Sequence, residues 1–132
     1  MKQNFLILGL LAALLTLTVS CHKEKQTTPD LLAGKWEWIK TIRPYTGQES
    51  NPQSLGFTQT LVFSDNNKMQ EYKNGVLINT SNYTIVLKPT NPKNHELTKN
   101  TILNSHFYFE SDTLIFSEAY VEGDVNYYIK IP

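Results

Sequence analysis

The fold of this chain is decided by the stretch Lys68-Met69-Gln70-Glu71-Tyr72-Lys73-Asn74-Gly75-Val76-Leu77-Ile78-Asn79. Its centre, Asn74-Gly75, lies between two runs rich in strand-forming residues. Both residues tolerate the positive φ angles of a type I′ turn, and this turn joins antiparallel strands whose twist it matches. The stretch therefore predicts a tight β-hairpin, with residues 68–73 as one arm and residues 76–79 as the other.

The same two-residue period continues on both sides of the hairpin. Trp36, Trp38 and Ile42 fall on one face of a strand that begins near residue 35. Further short strands are predicted at residues 57–63, 83–87, 107–109, 113–116 and 125–131, and one strand or two over residues 96–103. Seven to nine short strands divided by turn residues are typical of an antiparallel barrel or sandwich, and nothing indicates a crossover helix. We therefore predict an all-β domain.

Two segments of this domain depart from the strand pattern. Residues 29–34 predict a short helical turn, because Asp30 is suited to cap it and Gly34 to end it. Residues 43–56 contain two prolines and two glycines among polar residues and predict a long loop. A loop of this length in a small domain is either functional or mobile.

The N-terminus has the layout of an export signal. Lys2 is followed by an apolar run of 15 residues, 5–19, and by the small residues before Cys21, the only cysteine. The run is shorter than the roughly 20 residues that a membrane-spanning helix needs. It resembles a bacterial lipoprotein signal, although Thr18 stands where that pattern has leucine. The resemblance implies that Cys21 is acylated; the alternative is an ordinary cleaved signal that leaves Cys21 as a free thiol.

These observations predict three parts: a lipoprotein signal peptide at residues 1–20, a lipidated flexible tether at 21–29 and a β-barrel domain at 30–132. The tether is polar and offers nothing to bury. The expected location is the outer membrane, with the acyl groups on Cys21 as anchor and the domain facing the periplasm or the cell surface. Lys23-Glu24 is only a fragment of the tract that directs some lipoproteins to the surface.

The domain resembles the lipocalin-like domains of Gram-negative lipoproteins. The resemblance is carried by Leu32-Ala33-Gly34-Lys35-Trp36, by Tyr72-Lys73-Asn74-Gly75, by Asp112-Thr113-Leu114-Ile115-Phe116 and by Gly123-Asp124-Val125-Asn126-Tyr127-Tyr128-Ile129-Lys130. It implies a small up-and-down barrel of about eight strands. In this family the tryptophan closes one end of the barrel and an arginine stacks across it, and Lys130 takes the place of that arginine. The alternative for Trp36 is a plain core aromatic.

The chemical inventory predicts no catalytic, cofactor or metal site. His22, His95 and His106 share no metal-ligand spacing, and no cysteine remains to join them. Glu118 and Asp124 flank Gly123 in an acidic turn that resembles no known calcium loop, so solvation explains them better. The chain has 12 basic and 12 acidic residues, and this balance argues against nucleic-acid binding. We therefore expect a protein that is not an enzyme.

Two functions remain open at this stage. The first is a binding module whose barrel holds a small apolar or amphipathic ligand, with Tyr45, Phe57, Tyr108 and Tyr120 as candidates for its mouth. The second is a filled barrel that contacts another envelope protein or a glycan through loop 43–56 and a strand edge. Eight strands enclose either packed side chains or one small ligand, so the strand count does not separate them.

Overall fold

A computed structural model of the chain describes residues 31–100, 102–118 and 123–132. The predicted signal, the tether with Cys21, and Tyr120 lie outside these ranges. The elements are β1 (Gly34–Arg43), β2 (Gln48–Ser50), α1 (Pro52–Leu55), β3 (Gln59–Phe63), β4 (Lys68–Lys73), β5 (Val76–Val86), β6 (His95–Lys99), β7 (Ile102–Glu110), β8 (Thr113–Glu118) and β9 (Val125–Ile131). In this part of the chain, no helix has the length and apolar character needed to cross a membrane.

The strands form one antiparallel sheet that closes on itself. Their order is β2-β1-β3-β4-β5-β6-β7-β8-β9, and β1 also pairs with β9, from Lys35 opposite Ile131 to Ile42 opposite Val125. Eight strands thus make a closed up-and-down barrel and β2 is an additional strand. This confirms the predicted all-β barrel of about eight strands.

The predicted hairpin is present and defines one end of the barrel. Lys73 pairs with Val76, and the two residues between them have φ angles of 50° and 76°. The Oδ1 atom of Asn74 also accepts a hydrogen bond of 2.9 Å from the Thr58 N–H. We call this the hairpin end, and we call the opposite end, where β1 begins, the Trp36 end.

The prediction of an unstructured loop over residues 43–56 is wrong, because β2 and α1 lie within it. Asn51 Oδ1 accepts from the Ser54 N–H and Ser54 Oγ accepts from the Asn51 N–H, both at 2.9 Å, which is a capping box. Pro52 opens the helix without losing a hydrogen bond. Gly56 ends it with a φ of 70°. One proline and one glycine of the expected loop, Pro52 and Gly56, therefore begin and end a single helical turn.

One strand boundary also differs from the prediction. β5 is one continuous strand, and it changes neighbours: Val76 to Asn82 pair with β4, and Tyr83 to Val86 pair with β6. Of the one or two strands predicted over residues 96–103, the structure has parts of two, because Asn100 has a φ of 47° and turns the chain between β6 and β7. Asparagine adopts this left-handed conformation more readily than other residues that carry a side chain.

The inward-facing side chains fill most of the barrel. The core consists of Leu32, Trp36, Trp38, Leu61, Phe63, Met69, Tyr83, Leu97, Phe107, Leu114, Phe116 and Tyr128. Phe116 links its parts, with ring centroids 6.0 Å from Phe107 and 5.8 Å from Tyr128. Such tilted and edge-on pairs are the preferred aromatic geometries. The core thus runs from Leu32 at the Trp36 end to the middle of the barrel.

Candidate functional site

A cavity of about 400 Å³ occupies the interior at the hairpin end. Its lining residues are Gln59, Leu61, Met69, Glu71, Leu97, Lys99, Ser105, Phe116, Glu118, Asn126 and Tyr128. The volume falls within the range of about 300 to 1,000 Å³ that is usual for small-molecule sites. The cavity is therefore large enough for a small organic ligand.

The lining is organised in two layers by the two-residue period of the strands. On each strand that lines the cavity, the inward-facing residue nearer the hairpin end is polar. The inward-facing residue two positions further from that end is apolar. The polar members, which we call the polar ring, are Gln59, Glu71, Lys99, Ser105, Glu118 and Asn126. The deeper lining residues, which we call the floor, are Leu61, Met69, Leu97, Phe116 and Tyr128. This arrangement is amphipathic along the barrel axis.

An ion pair crosses the polar ring between β4 and β6. Lys99 Nζ lies 3.1 Å from Glu71 Oε1, and both side chains are largely buried. Tyr128 is buried beneath them, and burial, together with the Glu71 carboxylate, raises the pKa of its hydroxyl. Because an anion is disfavoured there, the phenol keeps its proton at neutral pH and is available as a hydrogen-bond donor.

A hydrogen-bonded chain fixes the Asn126 amide on the other side of the ring. Trp38 Nε1 donates to Thr41 Oγ1 at 3.0 Å, and the Thr41 hydroxyl donates to Asn126 Oδ1 at 2.6 Å. The bulge of β1 after Trp38 places Thr41 beside β9. Asn126 thus has a defined orientation before any ligand enters.

Glu118 stands at the rim, where the chain leaves β8. Its N–H donates to the Asp124 carbonyl at 3.2 Å, and the backbone of Gly123 packs directly on its side chain. A Cβ atom at Gly123 would overlap the Cβ atom of Glu118. The acidic turn that the sequence explained by solvation therefore contributes one carboxylate to the cavity, whereas Asp124 pairs with Arg43 at 3.6 Å.

Three of the four aromatic residues expected at a ligand mouth lie elsewhere, and Tyr120 is outside the described residues. Tyr45 is 71% exposed in the turn before β2. Phe57 stacks on Trp38 with centroids 5.6 Å apart, beneath Lys73 Nζ at 4.1 Å, and packs against the core. Tyr108 alternates with the inward Phe107, so it lies on the outer face of β7. The structure does not bring these rings together.

At the Trp36 end, Lys130 and Trp36 are in contact. Lys130 Nζ lies 5.5 Å from the ring centroid of Trp36, whose Nε1 donates to the Leu32 carbonyl at 2.8 Å. Gly34 has a φ of 121°, and a Cβ atom there would lie 2.9 Å from Lys130 Cε. Glycine is favoured here chiefly by its φ angle, because the far end of the exposed lysine side chain is free to move aside.

The two histidines in the described part of the chain, His95 and His106, lie apart from the cavity. His95 Nδ1 accepts from the Lys88 N–H at 3.0 Å, and its ring packs on Phe107. His106 points outward from β7, next to Glu96 on β6. Among residues 31–100, 102–118 and 123–132, no three histidine, cysteine, aspartate or glutamate side chains are grouped as a metal site requires.

Sequence reasoning found the barrel and missed the polar ring. The signal was present in six spaced pairs, Gln59/Leu61, Met69/Glu71, Leu97/Lys99, Ser105/Phe107, Phe116/Glu118 and Asn126/Tyr128, each with a polar and an apolar residue at inward positions. Within one strand, each pair looks like an ordinary strand end. Only the register between strands shows that the six polar residues lie at the same level of the barrel.

Comparison of the chain with protein-family models, with curated proteins and with solved structures finds no match. The lipocalin-like resemblance of the sequence therefore stays a prediction. The feature of the described residues that bears most directly on function is the cavity with its two-layered lining.

Proposed function

We propose that this chain is a lipid-anchored protein of the cell envelope whose lipocalin-like barrel binds a small amphipathic molecule in the cavity at the hairpin end. The observation that carries the proposal is the two-layered lining. A polar ring above an apolar floor matches a molecule with one polar and one apolar end. The proposal assigns binding to the barrel and no catalysis.

The sequence supports a lipid anchor at Cys21. The expected acylation of Cys21 supplies more than one chain, and two or more are needed for stable membrane attachment. With zero formal net charge, the chain has no excess of basic residues to contribute electrostatic attraction to lipid. Growth of cells with a clickable palmitate tests this step. Label on the wild type and none on Cys21→Ala is expected, and equal label on both contradicts the anchor.

Native mass spectrometry of protein purified from its own cells tests the ligand. The expected result is a bound compound that is released on denaturation. Ser105→Phe places a ring in the polar ring and should abolish the bound mass. Thr84→Phe adds the same ring on the exposed outer face of β5 and should leave it unchanged. A barrel that is empty under all conditions would count against binding.

A second function is favoured by one observation, the free edge of β5. Val76, Leu77 and Ile78 are 66%, 46% and 56% exposed, and along 76–82 the strand pairs with β4 alone among the described residues. An exposed apolar edge is a template for contact with another protein. A photo-crosslinking residue at Leu77 or Tyr45 in whole cells should then capture a defined product, and one at Thr84 should not. Equal capture at all three sites contradicts this function.

A further inference from the structure

The polar ring contains more negatively than positively charged side chains. Its ionisable members are the carboxylates of Glu71 and Glu118 and the ammonium of Lys99. Lys99 Nζ lies 3.1 Å from Glu71 Oε1, so these two charges compensate each other. Glu118 makes no ion pair with any residue in the ranges that the structure describes. The described ring therefore carries one uncompensated carboxylate at its rim.

This carboxylate stands above an apolar surface. On β8, Glu118 is the inward position that follows Phe116, and Leu61, Met69 and Leu97 complete the apolar part of the floor. Glu118 itself is exposed, so water partly screens its charge, and a cation that also covers the apolar floor excludes some of that water. The cavity thus offers an anionic rim and an apolar interior to one molecule.

We propose that the cavity binds a small organic cation, a primary ammonium compound with a short apolar tail, with Glu118 as its counter-ion. The inference rests on the proposed ligand-binding function and specifies the chemistry of the ligand. The ammonium group has three N–H donors and no acceptor. The ring supplies acceptors in the Glu118 carboxylate and the Gln59 amide, and the tail lies against Phe116 and Met69.

The same arrangement disfavours an anionic ligand. Lys99, the one cationic side chain among the lining residues, is held by Glu71, and an anion would have to break that pair. Removing one partner of a largely buried pair leaves the other charge uncompensated, which is costly. The anion would also sit close to Glu118. Like charges that share a site repel each other.

Calorimetry with three probes of equal tail length tests the charge requirement. The acylated protein in phosphatidylcholine nanodiscs is titrated at pH 7 with hexylammonium, 1-hexanol and hexanoate, with empty nanodiscs as the reference. Hexylammonium should bind about tenfold more tightly than 1-hexanol, because the alcohol carries no charge to pair with the Glu118 carboxylate. Hexanoate should bind more weakly than either.

Two variants that each remove one carboxylate test whether Glu118 is the counter-ion. Glu118→Gln keeps the shape of the side chain and should reduce hexylammonium affinity to that of 1-hexanol, with 1-hexanol binding unchanged. Glu37→Gln removes one carboxylate from the outer face of β1 and should change neither. Tighter binding of 1-hexanol than of hexylammonium, or equal loss in both variants, would overturn the ammonium assignment.

Failure of the ammonium assignment is distinguishable from failure of the proposed binding function. If 1-hexanol binds as well as hexylammonium, the charge assignment is overturned and the binding function stands. If none of the three probes binds, the ammonium assignment is overturned, and the native mass spectrum of the cellular protein decides whether the barrel binds anything.

Discussion

Lys130 Nζ lies 5.5 Å from the ring centroid of Trp36, so that the last strand of the barrel supplies a cation to the first. The two residues are direct partners in the β1–β9 register. The contact combines a buried aromatic ring with an aliphatic stem that runs over Gly34. Its energetic importance is open to a direct test.

Trp36→Ala should lower the free energy of unfolding by about 3 to 5 kcal/mol, because a large buried ring is lost. Lys130→Met keeps the stem and removes the charge. It should cost about 0.5 to 1 kcal/mol, the contribution of an exposed cation over an aromatic ring. Urea unfolding of both variants measures this. Unchanged stability in Lys130→Met would mean that Trp36 is a core aromatic and nothing more.

Gly34→Ala should destabilise the barrel by about 1 to 3 kcal/mol through its backbone conformation alone. The added methyl group also lies 2.9 Å from the position of Lys130 Cε, which adds a steric cost. Gly47→Ala is the control, because its φ is also positive at 65° and no atom lies within 4 Å of the new Cβ. Equal thermal stability of the two variants would show that the Lys130 stem does not constrain Gly34.

Lys88→Gln should raise the pKa of Glu96. The hydrogen bond and charge of Lys88 lower the pKa of this carboxyl, and the nearby His106 adds to the effect. A depressed pKa contributes stability that is present above the unfolded-state pKa and is lost as pH falls through the folded-state pKa. The wild type should therefore lose more stability than Lys88→Gln on acidification below about pH 4.3. Carbon-detected NMR titration of Glu96 measures the pKa, with Lys35→Gln as the control variant.

Tyr128→Phe should make the protein less sensitive to alkali. Burial and the Glu71 charge raise the pKa of Tyr128, so the folded state holds this proton after the unfolded chain has released it. Stability is then lost as pH rises above the unfolded-state value of about 10. Denaturation across that range should show a steeper loss in the wild type. Parallel curves for the two proteins would contradict the burial of a neutral phenol.

The barrel was predictable because the signals for it are local. The Asn74-Gly75 turn, the alternation around Trp36 and Trp38, and the strand at 125–131 each depend on neighbours in sequence. The cavity was not predictable, because it depends on which residues stand opposite one another. Leu97 opposite Ser105 and Phe116 opposite Asn126 follow from register, and register includes bulges that no local pattern marks.

The lack of long-range information in the sequence also explains why the aromatic residues expected at the ligand mouth lie elsewhere. Phe57 was grouped with Tyr45 by closeness to the long loop, and Tyr108 was added to them by residue type. The alternation of side chains along β7 places Tyr108 on the outer face, and Phe57 stacks on Trp38. Neither the face of β7 nor this stack is visible in the sequence of the loop, so the expected mouth differs from the observed cavity.

The pairing of β1 with β9 also governs how the chain folds. The barrel's last seam joins Lys35 to Ile131 and Ile42 to Val125, which are close to the two ends of the domain. During synthesis, the β1 edge of this seam stays unpaired until the final strand has emerged, and such an edge is prone to intermolecular pairing. A domain whose closure depends on its most distant contact folds slowly for its size. Its exposure to misassembly therefore ends only when residues 125–131 have joined the first strand.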